Sequence, residues 1–168
     1  MTTEEIKKTE EFIQFVKSAR AFCTFIETGN SVSFLQLTQT HLQNLYFDAK
    51  KLQSVDLTLD SDFPNKLNDQ EEEEVLNLIS DKLGKNRYYW HVFDPTKDED
   101  MEPVCGDLLD DLGDIYMDIK NSLLSLDSNV PAEVESAIWN FRFDFETHWG
   151  DHCIIAIYAL HYFIQKTQ

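Results

Sequence analysis

The sequence predicts an all-α fold, an antiparallel helical bundle of about five helices with an aromatic and acidic loop before the fourth helix. Three observations predict it. Only 5 Gly and 4 Pro occur in 168 residues, too few for the many tight turns of a sandwich or barrel. Leu, Glu, Lys, Gln and Ala fill long uninterrupted stretches instead. Apolar residues recur three and four apart through most of these stretches. The length suits one domain, residues 1–168, and 42% hydrophobic residues with 12 Phe supply its core.

The first helix is expected from about Glu4 to Glu27, because Ile6, Phe12, Phe15, Val16, Ala19, Phe22, Cys23 and Ile26 share one face. Gly29-Asn30 stops it, and Ser31 is placed to cap a second helix running to about Gln53. The short connection makes the two antiparallel neighbours. From Ser54 to Leu67 there is no helical period and Pro64 intervenes, which reads as a loop. Asn68 then caps a third helix with Glu71 to Glu74 in its first turn. Four consecutive carboxylates resemble a metal cluster, but acids at a helix N-terminus are favoured by its partial positive charge, and capping is the expected role.

Tyr88 to Phe93 is aromatic and strand-like, and an acidic loop follows from Asp94 to Pro103. Large side chains of this kind pin a loop onto a helical core or line a binding surface. Gly106-Asp107 opens a fourth helix to about Leu126, with Leu108, Leu112, Ile115, Ile119 and Leu123 on one face. Asp111, Asp114 and Asp118 form a second stripe about a third of a turn away. Pro131 suits the first turn of a fifth helix, expected to run to Gln165 unless Gly150 bends it.

Against 31 Asp and Glu stand 14 Lys and Arg, a formal net charge of −17, which argues against nucleic acid and anionic membrane surfaces as partners. Such a charge suits solubility, a metal cation or a basic protein partner. Cys23, Cys105 and Cys153 form neither a disulfide framework nor a Cys-x-x-Cys knuckle and fit a reducing compartment. The N-terminal residues lack the basic start and apolar run of a signal peptide, and the most apolar segment, Cys153 to Ile164, is too short to span a bilayer. A cytoplasmic location is the expectation.

The residues that most need explaining lie in His148-Trp149-Gly150-Asp151-His152. On an unbroken fifth helix His148 and His152 fall inside the apolar stripe of Val134, Ile138, Phe141, Phe145, Ile155, Ala159 and Phe163, with Asp144 and Asp151 on its flank. The first reading is a buried polar network in a non-enzymatic bundle that acts through protein interaction. The second is a divalent metal site, in a metal-binding or hydrolytic protein. Histidines at i and i+4 can share one ion, Asp114 and Asp118 can complete it from a facing helix, and Asp111, Asp144 and Asp151 can support it. A di-iron carboxylate site is ruled out, since Phe145 and Trp149 occupy the positions where Glu-x-x-His needs glutamate. The zincin His-Glu-x-x-His motif is absent, and Cys153, on the apolar end of the helix, reads as structural.

Two family resemblances follow from these motifs. Asp110-Asp111-Leu112-Gly113-Asp114-Ile115 resembles the Glu-Glu-Leu-Gly-Asp segment of the all-helical nucleotide pyrophosphohydrolases, which implies magnesium held by acids on two helices. Glu71 and Glu74 supply that family's Glu-x-x-Glu letters at too long a spacing, and Asp111 stands for a glutamate. A resemblance over nearly the whole chain is carried by three features: a Phe-rich first helix, Asp111-Leu112-Gly113-Asp114-Ile115-Tyr116-x-Asp118-Ile119, and Trp139-x-Phe141-x-Phe143-x-x-Glu146-x-His148-Trp149-Gly150-x-His152 followed by Ala159-Leu160. Together they are similar to the bacterial domain of unknown function 5063 family. That resemblance implies an all-helical protein of unassigned activity. Where such proteins often carry Leu-Arg-Ala-Leu-His, this chain has Ile157-Tyr158-Ala159-Leu160-His161, so an anion-binding role for that arginine does not carry over.

Overall fold

A computed structural model describes residues 2–30, 32–59 and 66–166. Among them the chain forms seven α-helices, a single 3-10 turn at Asp98–Asp100 and one two-stranded hairpin: α1 Thr3–Ile6, α2 Glu10–Thr28, α3 Phe34–Ala49, α4 Asp69–Leu83, β1 Tyr88–His91, β2 Val104–Asp107, α5 Leu108–Leu126, α6 Pro131–Thr147 and α7 Trp149–Lys166. The fold is mostly helical, with more and shorter helices than the five expected, and the hairpin makes it other than purely α. No helix among the described residues is long and apolar enough to cross a membrane.

Each departure from the expected helices has a local cause. The first helix divides because Thr9 adopts extended backbone and its hydroxyl accepts from the Phe12 amide, a cap that competes with helix continuation. The second begins at Phe34, not at Ser31, which lies outside the described residues. Its N-cap Ser33 is left-handed, at φ 65°, and makes no side-chain cap bond. The loop expected from Ser54 to Leu67 holds over residues 54–59 and 66–67, and its remaining residues, 60–65, lie outside the described set. Glu135 of α6 fastens this loop by accepting from the Thr58 amide and hydroxyl and the Leu59 amide, at 2.8, 2.7 and 2.6 Å. As expected, Asn68 caps α4, and Glu71 returns the bond to the Asn68 amide at 2.9 Å.

The hairpin arises where the sequence shows a strand without showing its partner. Tyr88–His91 pairs antiparallel with Val104–Asp107 in the register Tyr89 to Gly106 and Trp90 to Cys105. Alternation buries Tyr89 and leaves Tyr88 and Trp90 exposed. Gly106 is required opposite Tyr89, since a Cβ there would stand 2.4 Å from its ring. Arg87 grips Asp107 through three hydrogen bonds of 2.6 to 2.9 Å, and Asp107 in turn caps α5 through the Leu109 amide. The hairpin is thereby locked to the first turn of α5, where Asp111 sits.

α5 packs against α6, α7 and α2, and α3 against α2 and α7, around a core that includes Phe15, Phe22, Leu42, Leu112, Ile115, Phe141, Trp149 and Leu160. The expected long fifth helix is two helices, and the break falls at His148, not at Gly150. His148 leaves helical geometry at φ −147° and ψ −86°, while its amide still donates to Asp144 O at 2.8 Å. Gly150 then becomes the second residue of α7. It must be glycine because an added Cβ would lie 2.1 Å from the Phe145 carbonyl oxygen.

Candidate metal centre

The break at His148 decides where the two histidines go. A single uninterrupted helix would carry both into the core. After the break Trp149 takes the core position, fully buried against Phe15 and Phe145, and the imidazoles emerge at the margin facing α5. The His148 side chain is 48% exposed and that of His152 25%. The expectation that they are core residues is therefore corrected. The network they form is partly open to water.

α5 presents Asp111, Asp114 and Asp118 on one stripe, and the packing of α7 on α5 brings all three to the histidines. His148 Nδ1 lies 2.7 Å from Asp118 Oδ2, and His152 Nδ1 2.9 Å from Asp111 Oδ1. An ionised carboxylate only accepts, so each Nδ1 carries the hydrogen, and in the neutral ring each Nε2 keeps its lone pair. Both Nε2 atoms approach one oxygen, Asp114 Oδ2, at 3.9 Å for His148 and 3.4 Å for His152. One ligand atom from each of Asp114, His148 and His152 lies within 4.8 Å of the others. Tetrahedral bonds of about 2.0–2.1 Å would set donors about 3.4 Å apart, the separation His152 and Asp114 already have.

The expected cluster is thus assembled with one reassignment and one loss. Asp118 holds a histidine Nδ1, as Asp111 does, and Asp114 faces the two Nε2 atoms. Asp151, in the first turn of α7, is exposed; its amide donates to the His148 carbonyl at 3.1 Å, but its carboxylate makes no hydrogen bond or ion pair with the cluster. Tyr89, in the sequence only one aromatic among several, is the further participant. Its hydroxyl donates to Asp111 Oδ2 at 2.5 Å and completes a chain from Tyr89 through Asp111 to His152. Period-two alternation in β1 was the available signal, since it turns Tyr89 inward. Glu71 and Glu74, the pair needed by the pyrophosphohydrolase resemblance, are occupied elsewhere: Glu71 in its cap, Glu74 with Gln70.

The electrostatics are those of a site short of positive charge. No lysine or arginine pairs with Asp111, Asp114, Asp118 or Asp144 among the described residues. The hydrogen bond to Asp111 holds the His152 pKa above its ordinary value, against the opposing effect of burial. Burial raises the Asp114 carboxyl, with Asp110 and Asp118 adding repulsion. Asp144 is pushed up to about 6, first by burial and then by Asp118.

Asp144 gives a pH prediction for the metal-free protein. Its folded pKa lies above the ordinary carboxyl value, so folding opposes its ionisation. The cost is absent below the ordinary value near pH 4, grows as pH rises toward about 6, and is full above that. Partial exposure screens it to about 1 kcal/mol. Asp144→Asn is expected to raise the melting temperature by a few degrees at pH 8 and to leave it unchanged near pH 4. Thermal denaturation at the two pH values measures both.

The profile of the domain of unknown function family DUF5063 matches residues 6–166. No curated protein matches the chain. Among solved structures, the crystal structure of protein BF1032 from Bacteroides fragilis is similar, with a TM-score of 0.78 over 93% of each chain at 21% identity. At that identity the likeness is one of fold.

Proposed function

The chain belongs to the DUF5063 family, which carries no assigned activity, and from that premise we propose that it is a metal-dependent protein with one divalent transition-metal centre formed by His148 Nε2, His152 Nε2 and an Asp114 carboxylate oxygen. The observation that carries this reading is the orientation of the imidazoles. Each Nδ1 is tied to its own carboxylate, and both Nε2 atoms turn toward a third. Carboxylates that fix the tautomer and raise the basicity of metal-binding histidines are the usual supporting shell of such centres. Two imidazoles and one carboxylate suit zinc, iron or manganese better than calcium, which prefers an all-oxygen shell.

Three protein ligands are the number found in catalytic rather than structural centres, and partial exposure leaves a position for water or substrate. When bound, the ion supplies Lewis acidity or a water of lowered pKa, which suits hydrolysis. Asp144, close enough to His148 and Asp118 to interact electrostatically with both, is a further carboxylate beside the centre.

Calorimetric titration of tag-free protein with zinc and with manganese tests the reading. The expected result is one ion per chain with a dissociation constant in the micromolar range or tighter for at least one metal, abolished in the His148→Ala/His152→Ala variant. No saturable uptake of either ion, or equal uptake by the variant, would overturn it.

A further inference from the structure

A second feature adjoins this centre. β1 and the last turns of α7 enclose a cleft of about 230 Å³ whose walls include Tyr88, Tyr89, Trp90, Tyr158, Tyr162 and Lys166. Its walls present aromatic surface to water. Trp90 is 67% exposed, Tyr88, Tyr158 and Tyr162 are also exposed, and the last two stand edge to face at 5.0 Å. Four open aromatics gathered around one cleft form a stacking surface.

The cleft and the centre share a residue. Tyr89 lines the cleft and donates to Asp111, which orients His152. They also share a helix, since His152 and the cleft residue Ala159 are seven residues apart on α7, two turns or about 10 Å. Lys166, at the end of the same helix, supplies a cation to the cleft in a protein of net charge −17.

We propose that this cleft is the substrate pocket of the metal centre and takes a planar aromatic ring joined, over roughly 10 Å, to an oxyanion that reaches the ion. The proposal rests on the metal reading for its oxyanion half and on the aromatic walls for its ring half. Bases stack on such side chains with little regard to identity, so the ring class is wider than any one base. The Lys166 ammonium meets an electronegative edge of the ring or a charge on it. In so acidic a protein an oxyanion is held best at a bound divalent cation, whose charge exceeds that of the single Lys166 ammonium in the cleft.

Adenosine monophosphate, adenosine and ribose 5-phosphate serve as probes that carry both halves, the ring alone and the oxyanion alone. Quenching of Trp90 fluorescence, with zinc uptake followed in parallel by calorimetry, reads binding to the zinc-loaded protein. The monophosphate is expected to bind at least tenfold more tightly than either fragment. It is expected to lose about tenfold in Tyr158→Ala, where Trp90 still reports, and a comparable factor by calorimetry in Trp90→Leu, with zinc uptake unchanged in both variants. Equal affinity for the monophosphate and ribose 5-phosphate, or undiminished affinity in both variants, would overturn the pocket assignment while leaving the metal centre standing. Unchanged monophosphate affinity when zinc is removed from a protein that does bind zinc would overturn the coupling between them. Absence of zinc uptake is read directly by the calorimetry and refutes the metal reading instead.

Discussion

Gly150→Ala is expected to destabilise the protein by about 3 kcal/mol, the upper end of what overpacking costs, and to lower the melting temperature by roughly 6–12 °C. The clash is with backbone. The new Cβ would stand 2.1 Å from the Phe145 carbonyl oxygen, and neither partner can rotate away without moving the end of α6 against the start of α7. Trp149, wholly buried beside it, transmits any shift into the core. Gly113→Ala is the contrasting control. There the added Cβ meets only the tip of the Leu76 side chain, at 2.7 Å, which can turn aside, and a loss below about 1 kcal/mol is expected. Thermal denaturation of the two variants side by side checks both. A Gly150→Ala protein melting within 2 °C of the parent, about the effect of half a kcal/mol, would mean that the junction is not as tight as described.

The other large effect concerns a residue that touches no metal in the proposed centre. Asp111→Asn is expected to weaken zinc binding by about 10–100-fold while one ion per chain is still taken up. Asp111 is almost completely buried, accepts from Tyr89 on one oxygen and holds His152 Nδ1 with the other. A neutral amide loses the charge that favours the Nδ1–H tautomer and makes Nε2 more basic. Asp151→Asn, one residue from His152 yet changing only an exposed carboxylate with no bond to the cluster, is expected to leave zinc affinity unaltered. Calorimetric titration of the two variants separates an electrostatic role of Asp111 from a general effect of lowering negative charge. Equal affinities for the two would remove Asp111 from the account.

Much of this centre was legible in the sequence because helical spacing is a strong constraint. Asp111, Asp114 and Asp118 had to share a stripe, and His148 and His152 had to lie near one another whether or not the helix was continuous. What spacing could not supply was phase across the break. One non-helical residue at His148 rotates everything after it, and the same letters that place the imidazoles in the core on an unbroken helix place them at its margin here. The capping box at Asn68 and Glu71 was readable because both halves lie within four residues. The β1–β2 pairing was not, since Val104–Asp107 is too short and too polar to announce a strand, and its pairing depends on Tyr89 finding space over Gly106. Alternation along β1 could turn Tyr89 inward, but its partner Asp111 follows from the hairpin's attachment to α5.

The central claim is that the two Nε2 atoms and Asp114 share one ion, and X-ray absorption fine structure of the zinc-loaded protein tests it most directly. The account predicts a four-coordinate shell of nitrogen and oxygen donors at about 2.0–2.1 Å, with the outer-shell scattering of two imidazole rings. A shell made only of oxygen donors, or one with scattering from no imidazole or a single one, would contradict it.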